Sequence, residues 1–326
     1  MGLTRFPHGV SSFGMPVFGS GLTIEAAKNT EIFFVSKGGS DGSDGKSPDT
    51  ATLTVQAAVD KCSHDKGSYV LVGEGVFSEQ VTITKRAIHL IGMGPSRTKI
   101  AAGTMATKGA YLTYPVIAVQ PIFKSATMGG VEIANLTVDG GGGYGGIYLG
   151  DGANGDGNAS NSEIHDCVID GSNREGLVGI LIEGGSFINI HNNIIASWTR
   201  AGVVITGGAI RTGYYNVINR NHIISGGTCG VALQGITNSN IISNNIFCDD
   251  STTAFTSCIQ VANLNTAAYG GACSGTDNLA AFNALGSAGT NGALLGANDH
   301  LVMNYGRNAG TDASSYQICT ATWGSL

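Results

Sequence analysis

Charge is scarce in this 326-residue chain: 12% of residues are Asp, Glu, Lys or Arg, and 23 acidic side chains outnumber 17 basic ones for a formal charge of -6. Without a basic stripe to neutralise phosphates, a nucleic-acid partner is excluded. No apolar run approaches the length of a bilayer-spanning helix, and residues 1–20 lack the basic start and apolar centre of a signal peptide. Neither membrane insertion nor export by the usual route is expected. The seven cysteines contain no CxxC pair and no Cys/His spacing suited to zinc, and their odd number points to reduced thiols rather than a disulfide framework. Cys167 and Cys258 lie inside apolar triplets and are expected in the core, with Cys248 a third candidate.

Glycine and asparagine are abundant, at 51 and 24 residues, which suits a chain with many tight corners, where positive φ angles cost these residues least. Because 42% of residues are apolar and cluster in strand-sized groups, the composition is not that of a disordered segment. The clusters repeat. Asn135-Leu136-Thr137-Val138, Asp166-Cys167-Val168-Ile169, Asn192-Asn193-Ile194-Ile195, Asn221-His222-Ile223-Ile224 and Asn244-Asn245-Ile246-Phe247 are successive copies, offset by 31, 26, 29 and 23 residues. Each is followed 9 to 14 residues later by a second echo, beginning at Gly146, Gly179, Gly202, Gly230 and Cys258. Two short strands per coil in fixed order, with corners that accept insertions, predict an all-β fold: a right-handed parallel β-helix.

Stacked coils align like residues at about the 4.8 Å strand spacing. Asn135, Asp166, Asn192, Asn221 and Asn244 are therefore expected to form a structural corner column, with Val138, Ile169, Ile195, Ile224 and Phe247 in the core beside it. Such a column builds a corner and performs no chemistry.

Four regions follow. Residues 1–30 form an extended N-terminal arm whose apolar residues follow no helical or strand period. Arg5, Phe6, Val10, Phe13, Met15, Val17 and Phe18 are its candidate partner-binding residues, although an arm folded back on its own body would also bury the apolar ones. Residues 31–66 hold a first strand, a Gly-rich turn and a helix with Val55, Ala58, Val59 and Cys62 on one face, placed to cap the first coil. Residues 67–262 are the β-helix, and 263–326 a C-terminal section covering the last coils, with weak strands near Leu301 and Tyr316. Insertions at 140–145, 171–178 and 249–257 fall at one corner, after the first strand of a coil, and a longer one at 150–160 follows the second strand.

Chemistry is hard to find. Asp41 and Asp44 lack the EF-hand spacing for calcium. Asp166, Asp170, Glu183 and His165 share one coil and Asp249-Asp250 another, yet Asp166 belongs to the corner column and Asp249-Asp250 begins an insertion where turn-forming acids are expected. His165, His191 and His222 recur near one corner in unequal register, and with His89 read better as outward strand residues than as metal ligands. Cations are sparse along the coils, which handicaps lyase chemistry. No catalytic residue, metal or cofactor is expected.

Two stretches carry a resemblance. The opening Leu3-Thr4-Arg5-Phe6-Pro7, Gly9-Val10-Ser11-Ser12-Phe13-Gly14 and Pro16-Val17 is similar to the start of tailed-bacteriophage virion proteins often encoded beside the major capsid protein. The segment from Phe34 through Gly38-Gly39-Ser40-Asp41, Asp44-Gly45 and Ser47-Pro48 to Asp60 resembles the start of their β-helix, and Ile88-His89-Leu90-Ile91-Gly92 resembles pectin-lyase-like coils. The resemblance implies a non-enzymatic homotrimer on the virion, assembled in the host cytoplasm: a capsid decoration (cement) protein held to the major capsid protein by its arm. A tailspike-like role, binding or depolymerising a host surface glycan, stays open beside it.

Overall fold

The structure, a computed structural model, describes residues 10–12, 15–18, 30–64, 66–102, 115–120, 130–141, 145–150, 159–171, 177–207, 213–224, 229–235, 237–248, 257–261, 278–285, 291–294, 300–302, 304–306 and 317–319. They form a parallel β-helix, as the two echoes predict. Each full coil contributes a strand to each of three parallel sheets that run the length of the rod, one sheet more than expected, and two coils add a two-residue strand, Gly213–Tyr214 paired with Thr237–Asn238. Sheet 1 runs from Ile32–Val35 to His300–Val302, sheet 2 from Gly75–Ser78 to Asn304–Gly306, and sheet 3 from Val81–Ile83 to Asn291–Leu294. The echoes account for sheets 2 and 3. Sheet 1 escapes notice because strands such as Glu163–His165, Asn189–His191 and Val217–Asn219 point one isoleucine inward between two residues that face out. One buried side chain in three leaves no apolar run to read.

In register, Leu90, Ile133, Ile164, Ile190, Ile218 and Ile242 stack along the inner side of sheet 1. Val138, Ile169, Ile195, Ile223 and Phe247 do so along sheet 2. Here the sequence expectation slips by one residue, since Ile223 is buried while Ile224 faces outward. Sheet 3 is buried on both sides. Ile147, Leu149, Ile180 and Ile182 enter the main core, whereas Tyr148, Leu181 and Val204 join a second apolar cluster on the opposite side.

Glycines 146, 179, 202 and 230 stack in sheet 3 because the coil is narrow there. A Cβ on Gly179 would lie 2.5 Å from the Gly202 carbonyl oxygen and 2.9 Å from Ile195 Cγ2, so this column permits no side chain. Trp198, 2% exposed, fills the adjoining space and donates its indole N–H to the Ile169 carbonyl at 3.1 Å.

Helix α1, Val55–Lys61, covers the open end of the first coil with Val55, Ala58 and Val59. Its first turn is satisfied by Thr54, whose side chain accepts from Ala57 N, and by Glu79, whose carboxylate accepts from the Val55 and Gln56 amides at 2.9 Å each. At the other end, Gln317–Cys319 pairs antiparallel with Asn304–Gly306, and His300–Val302 extends sheet 1 in parallel.

Candidate functional site

Two corners of the coil turn on a single residue in the left-handed conformation. Between sheets 1 and 2 it is Asn135, Asp166, Asn192, Arg220, Asn244 and Phe282, with φ between 51° and 56°. Between sheets 3 and 1 it is Ala87, Asn161, Phe187, Tyr215 and Ser239. Four of the five expected corner residues thus occupy one column, and Asn221 does not belong to it. It falls one position later, where Asn193, Asn221, Asn245, Asn283 and Asn304 form a buried ladder. The Oδ1 of Asn221 accepts from the Asn193 backbone N–H at 3.0 Å, while its Nδ2 donates to the Ile190 carbonyl at 2.8 Å and to Asn245 Oδ1 at 3.0 Å. The other rungs repeat this pattern. A second ladder, Asn216, Asn240 and Asn278, does the same at the other corner. The second Asn of Asn192-Asn193 and Asn244-Asn245 is the signal for the ladder. Where Asn219-Arg220-Asn221 replaces the doublet, the echo by itself selects the wrong asparagine.

The outer side of sheet 1 gathers titratable groups that sequence spacing did not bring together. His89, Glu132, Glu163 and Asn189 align in one outward column, and Ala134, His165 and His191 in the next. Glu132 accepts from both neighbouring rungs, from His165 Nε2 at 2.9 Å and His89 Nδ1 at 2.5 Å. His165 Nδ1 lies 2.7 Å from Asp166 Oδ2, its ring stacks on His191 at 5.1 Å, and His191 Nε2 lies 2.7 Å from Glu163 Oε1. Tyr69 stacks on His89 at 4.3 Å. Hydrogen bonds from His165 and then His89 hold the Glu132 carboxyl down at about 2, and the bond to Glu132, against some desolvation, pushes His165 up to about 9. Glu132 therefore holds no proton to donate near neutrality, and His165 keeps the one it has. This pair stitches rungs together and is not poised for acid–base work.

Other candidate groups are engaged by their own chain. Asp41 accepts from the Leu53 and Thr54 amides at 2.9 and 2.8 Å, and Asp44 from Thr50 Oγ1 at 2.6 Å. The Glu79 carboxyl, raised by burial, caps α1. His222 lies on sheet 2, away from His165 and His191, with Nε2 3.2 Å from the sulfur of Cys248. Cys248 is half-exposed and outward instead of core, whereas Cys167 and Cys258 are buried, and none of the three is in a disulfide. Among the described residues, no group of three His, Cys, Asp or Glu is arranged to hold a metal ion. An apolar pocket of about 240 Å³ opens at the first coils, lined by Phe34, Pro48, Leu71, Ile91 and Met93, with Glu74 also at its wall.

Of the candidate arm residues, Arg5, Phe6 and Phe13 lie outside the described residues. The backbone at Val10, Met15, Val17 and Phe18 forms a short antiparallel pair, Val10–Ser12 with Met15–Phe18, in a segment where no strand periodicity is visible in the sequence.

Residues 122–291 match the family model described as right handed beta helix region. Solved structures similar to the chain include a pectin methylesterase in complex with hexasaccharide VII, at 14% identity over 86% of this chain and 91% of that one, with a TM-score of 0.48. Pectin methylesterase PemA from Erwinia chrysanthemi is similar at 13% identity over the same shares, TM-score 0.44. ORF18 of Geobacillus virus E2 is similar at 14% identity over 78% of this chain and 57% of that one, TM-score 0.37. These are likenesses of coil architecture alone. No curated protein matches the sequence.

Proposed function

We propose, for a chain that belongs to the right-handed β-helix family, a non-enzymatic role in a tailed-bacteriophage virion: a homotrimeric capsid decoration (cement) protein, bound to the major capsid protein through residues 1–30. The observation that carries the non-catalytic part is the engagement of the coil's polar groups within the coil. The asparagines close corners, Glu132 and His165 neutralise each other across rungs, and Glu79 caps a helix. The virion setting and the partner rest on the resemblance of the opening segment. Arg5, Phe6 and the apolar residues from Val10 to Phe18 precede the first coil and are the contact assigned to the capsid.

The test mixes purified protein with capsids that lack it. Co-sedimentation and a raised capsid melting temperature are expected, with both lost on deletion of residues 1–20. Binding that survives the deletion overturns the arm assignment, and no binding by the full chain overturns the decoration role. A second reading, a tailspike-like protein binding or cleaving a host glycan, is favoured by one observation. Glu132, Glu163 and Asp166 lie along the outer side of sheet 1, and the exposed rings of Phe187 and Tyr215 stand at its corner with sheet 3. Release of reducing or unsaturated sugar ends from host polysaccharide would establish it.

A further inference from the structure

The apolar pocket at the first coils lies where the outer side of sheet 1 changes character. An outward column of that sheet, Phe34, Leu71 and Ile91, lines the pocket and continues along the rod as Ala134, His165, His191 and Asn219. The large apolar residues of this column are therefore confined to the end of the rod that the N-terminal arm joins. Met93 and Pro48 also line the pocket, with Glu74 at its wall. The loop that carries Pro48 is held in place by its own chain. The Phe34 N–H donates to the Gly45 carbonyl at 2.7 Å, the Thr52 N–H donates to the Phe34 carbonyl at 2.9 Å, and Asp41 accepts from the Leu53 and Thr54 amides. A preformed recess of about 240 Å³ is smaller than the roughly 300 Å³ at which sites for drug-sized ligands begin, and suits one or two side chains.

The chain carries a segment of matching chemistry within reach. The arm joins the rod at Thr30, four residues before Phe34 and so about 13 Å from the pocket along an extended chain. The twelve residue steps from Phe18 to Thr30 span up to about 40 Å, and Val10, which pairs with Phe18, follows Phe6 by four residues. Of the three phenylalanines in residues 1–30, Phe6, Phe13 and Phe18, only Phe6 adjoins a cation, Arg5. Glu74 is the acidic group at the pocket wall. Its ion pair with Arg97, at 3.3 Å, joins side chains 62% and 61% exposed, so the attraction is screened and leaves the carboxylate open to a second guanidinium.

We propose that the pocket receives the chain's own N-terminal segment: the Phe6 ring fills the recess and the Arg5 guanidinium reaches Glu74. The contact does not require the virion setting, and it goes beyond the capsid reading by giving the arm a place to rest when no capsid is bound. Tethering lets a weak contact suffice. A tether of this length holds its end at an effective concentration on the order of 1 mM, so a segment with a dissociation constant of about 100 µM as a free peptide is about 90% bound in its own chain. The capsid contact assigned above draws on the same Arg5 and Phe6, so pocket and capsid compete. An arm that is about 10% free binds its partner about tenfold more weakly than one that is wholly free.

Fluorescence anisotropy with a labelled synthetic peptide of residues 1–9 tests the contact on the full chain. The Phe6→Ala protein, its pocket emptied, is expected to bind the peptide with a dissociation constant of about 100 µM, and the unaltered chain, whose own segment competes, about tenfold more weakly. A peptide that itself carries Phe6→Ala should bind neither protein. Adding Glu74→Lys to the Phe6→Ala protein should weaken the peptide about threefold, and a peptide with Arg5→Glu should recover the loss. No binding by the Phe6→Ala protein overturns the pocket as the receptor of this segment. Equal binding by the two proteins overturns occupancy by the chain's own arm, and a difference that vanishes on dilution overturns it in favour of a neighbouring copy's arm. Binding indifferent to the charge exchange overturns the assignment of Arg5 to Glu74. Capsids take no part in these measurements, so failure here and failure of the decoration reading are told apart.

Discussion

Replacing Asn245 by alanine should be among the most damaging single changes in the later coils, and the structure shows why. Its Oδ1 accepts from the Asn221 backbone N–H at 2.9 Å and from Asn221 Nδ2 at 3.0 Å, while its Nδ2 donates to the Ile218 carbonyl at 2.9 Å and to Asn283 Oδ1 at 3.0 Å. All lie in a fully buried corner, so alanine strands the Asn221 backbone N–H and removes one bond each from Asn221 Nδ2, the Ile218 carbonyl and Asn283 Oδ1, although Asn221 Nδ2 keeps the Ile190 carbonyl and Asn283 Oδ1 keeps the backbone N–H of residue 245. At about 1 kcal/mol for each net bond, with more for the stranded Asn221 amide, the loss is about 4 kcal/mol. The control is Asn244→Ala, one residue earlier. Asn244 holds the left-handed bend at φ 55°, and alanine there costs about 1 kcal/mol of backbone strain. Calorimetry at several scan rates gives the relative stabilities, and hydrogen exchange at the Asn221 amide reports the local effect. Protection of that amide should fall sharply in Asn245→Ala and little in Asn244→Ala. Equal losses in the two variants, or an Asn245→Ala protein within 1 kcal/mol of the parent, would refute the ladder as a principal support of the corner.

Three further outcomes follow from the same geometry. The folded Glu132 carboxyl, at about 2 against an ordinary 4.5, contributes stability above pH 4.5 that is lost as pH falls towards 2. His165, at about 9 against 6.5, contributes stability below pH 6.5 that is lost as pH rises through 9. Counted once for the pair and discounted for solvent screening, Glu132→Gln should cost about 1–2 kcal/mol between pH 4.5 and 6.5 and less by pH 9.5; a melting difference that stays flat across that range contradicts the pairing. Gly179→Ala places a Cβ against the Gly202 carbonyl and should destabilise by about 2–3 kcal/mol through overpacking, whereas a variant that melts with the parent shows sheet 3 to be looser than described. Burial pushes the Cys62 and Cys167 thiols up to about 12, so native protein treated with a thiol reagent should label Cys248 before either, as read by peptide mass mapping.

Much of the fold is legible because stacking forces like residues to recur. The two apolar pairs per coil give sheets 2 and 3 directly, and Val55, Ala58, Val59 and Cys62 announce the capping helix. Sheet 1 stays hidden, since Ile164, Ile190 and Ile218 each stand alone between residues that face out. The corner is half legible for a related reason. A bend needs one residue tolerant of positive φ and a second able to satisfy buried backbone groups, and asparagine serves both needs. At Asn219-Arg220-Asn221 the bend falls to an arginine, and the asparagine that remains visible performs the second task. The sheet 1 cluster could be found only with the register known, because Glu132, His165 and His191 meet across 33 and 26 residues of sequence.

The three corners of the coil differ in how much chain they admit. The corner between sheets 1 and 2, pinned by one left-handed residue and the buried residue beside it, keeps 2 residues between strands from Ala134–Thr137 to Ala281–Ala284, whereas the connection from sheet 3 to sheet 1 takes 5 residues from Glu183 to Asn189 and 12 from Gly150 to Glu163. The third, between sheets 2 and 3, spans 5 residues from Asp139 to Gly145, 7 from Asp170 to Val178, 4 from Ala196 to Ala201 and 8 from Cys248 to Ser257, while the strands on either side keep their pairing. Rung height is thereby uncoupled from loop length at both corners of sheet 3, and only the corner between sheets 1 and 2 is fixed. A peptide grafted between Cys248 and Ser257 would leave the stacking undisturbed, and grafts on successive coils would stand at fixed intervals along the rod. For an engineer, that edge is a ruled scale on which epitopes can be set at chosen spacings, at multiples of about 4.8 Å.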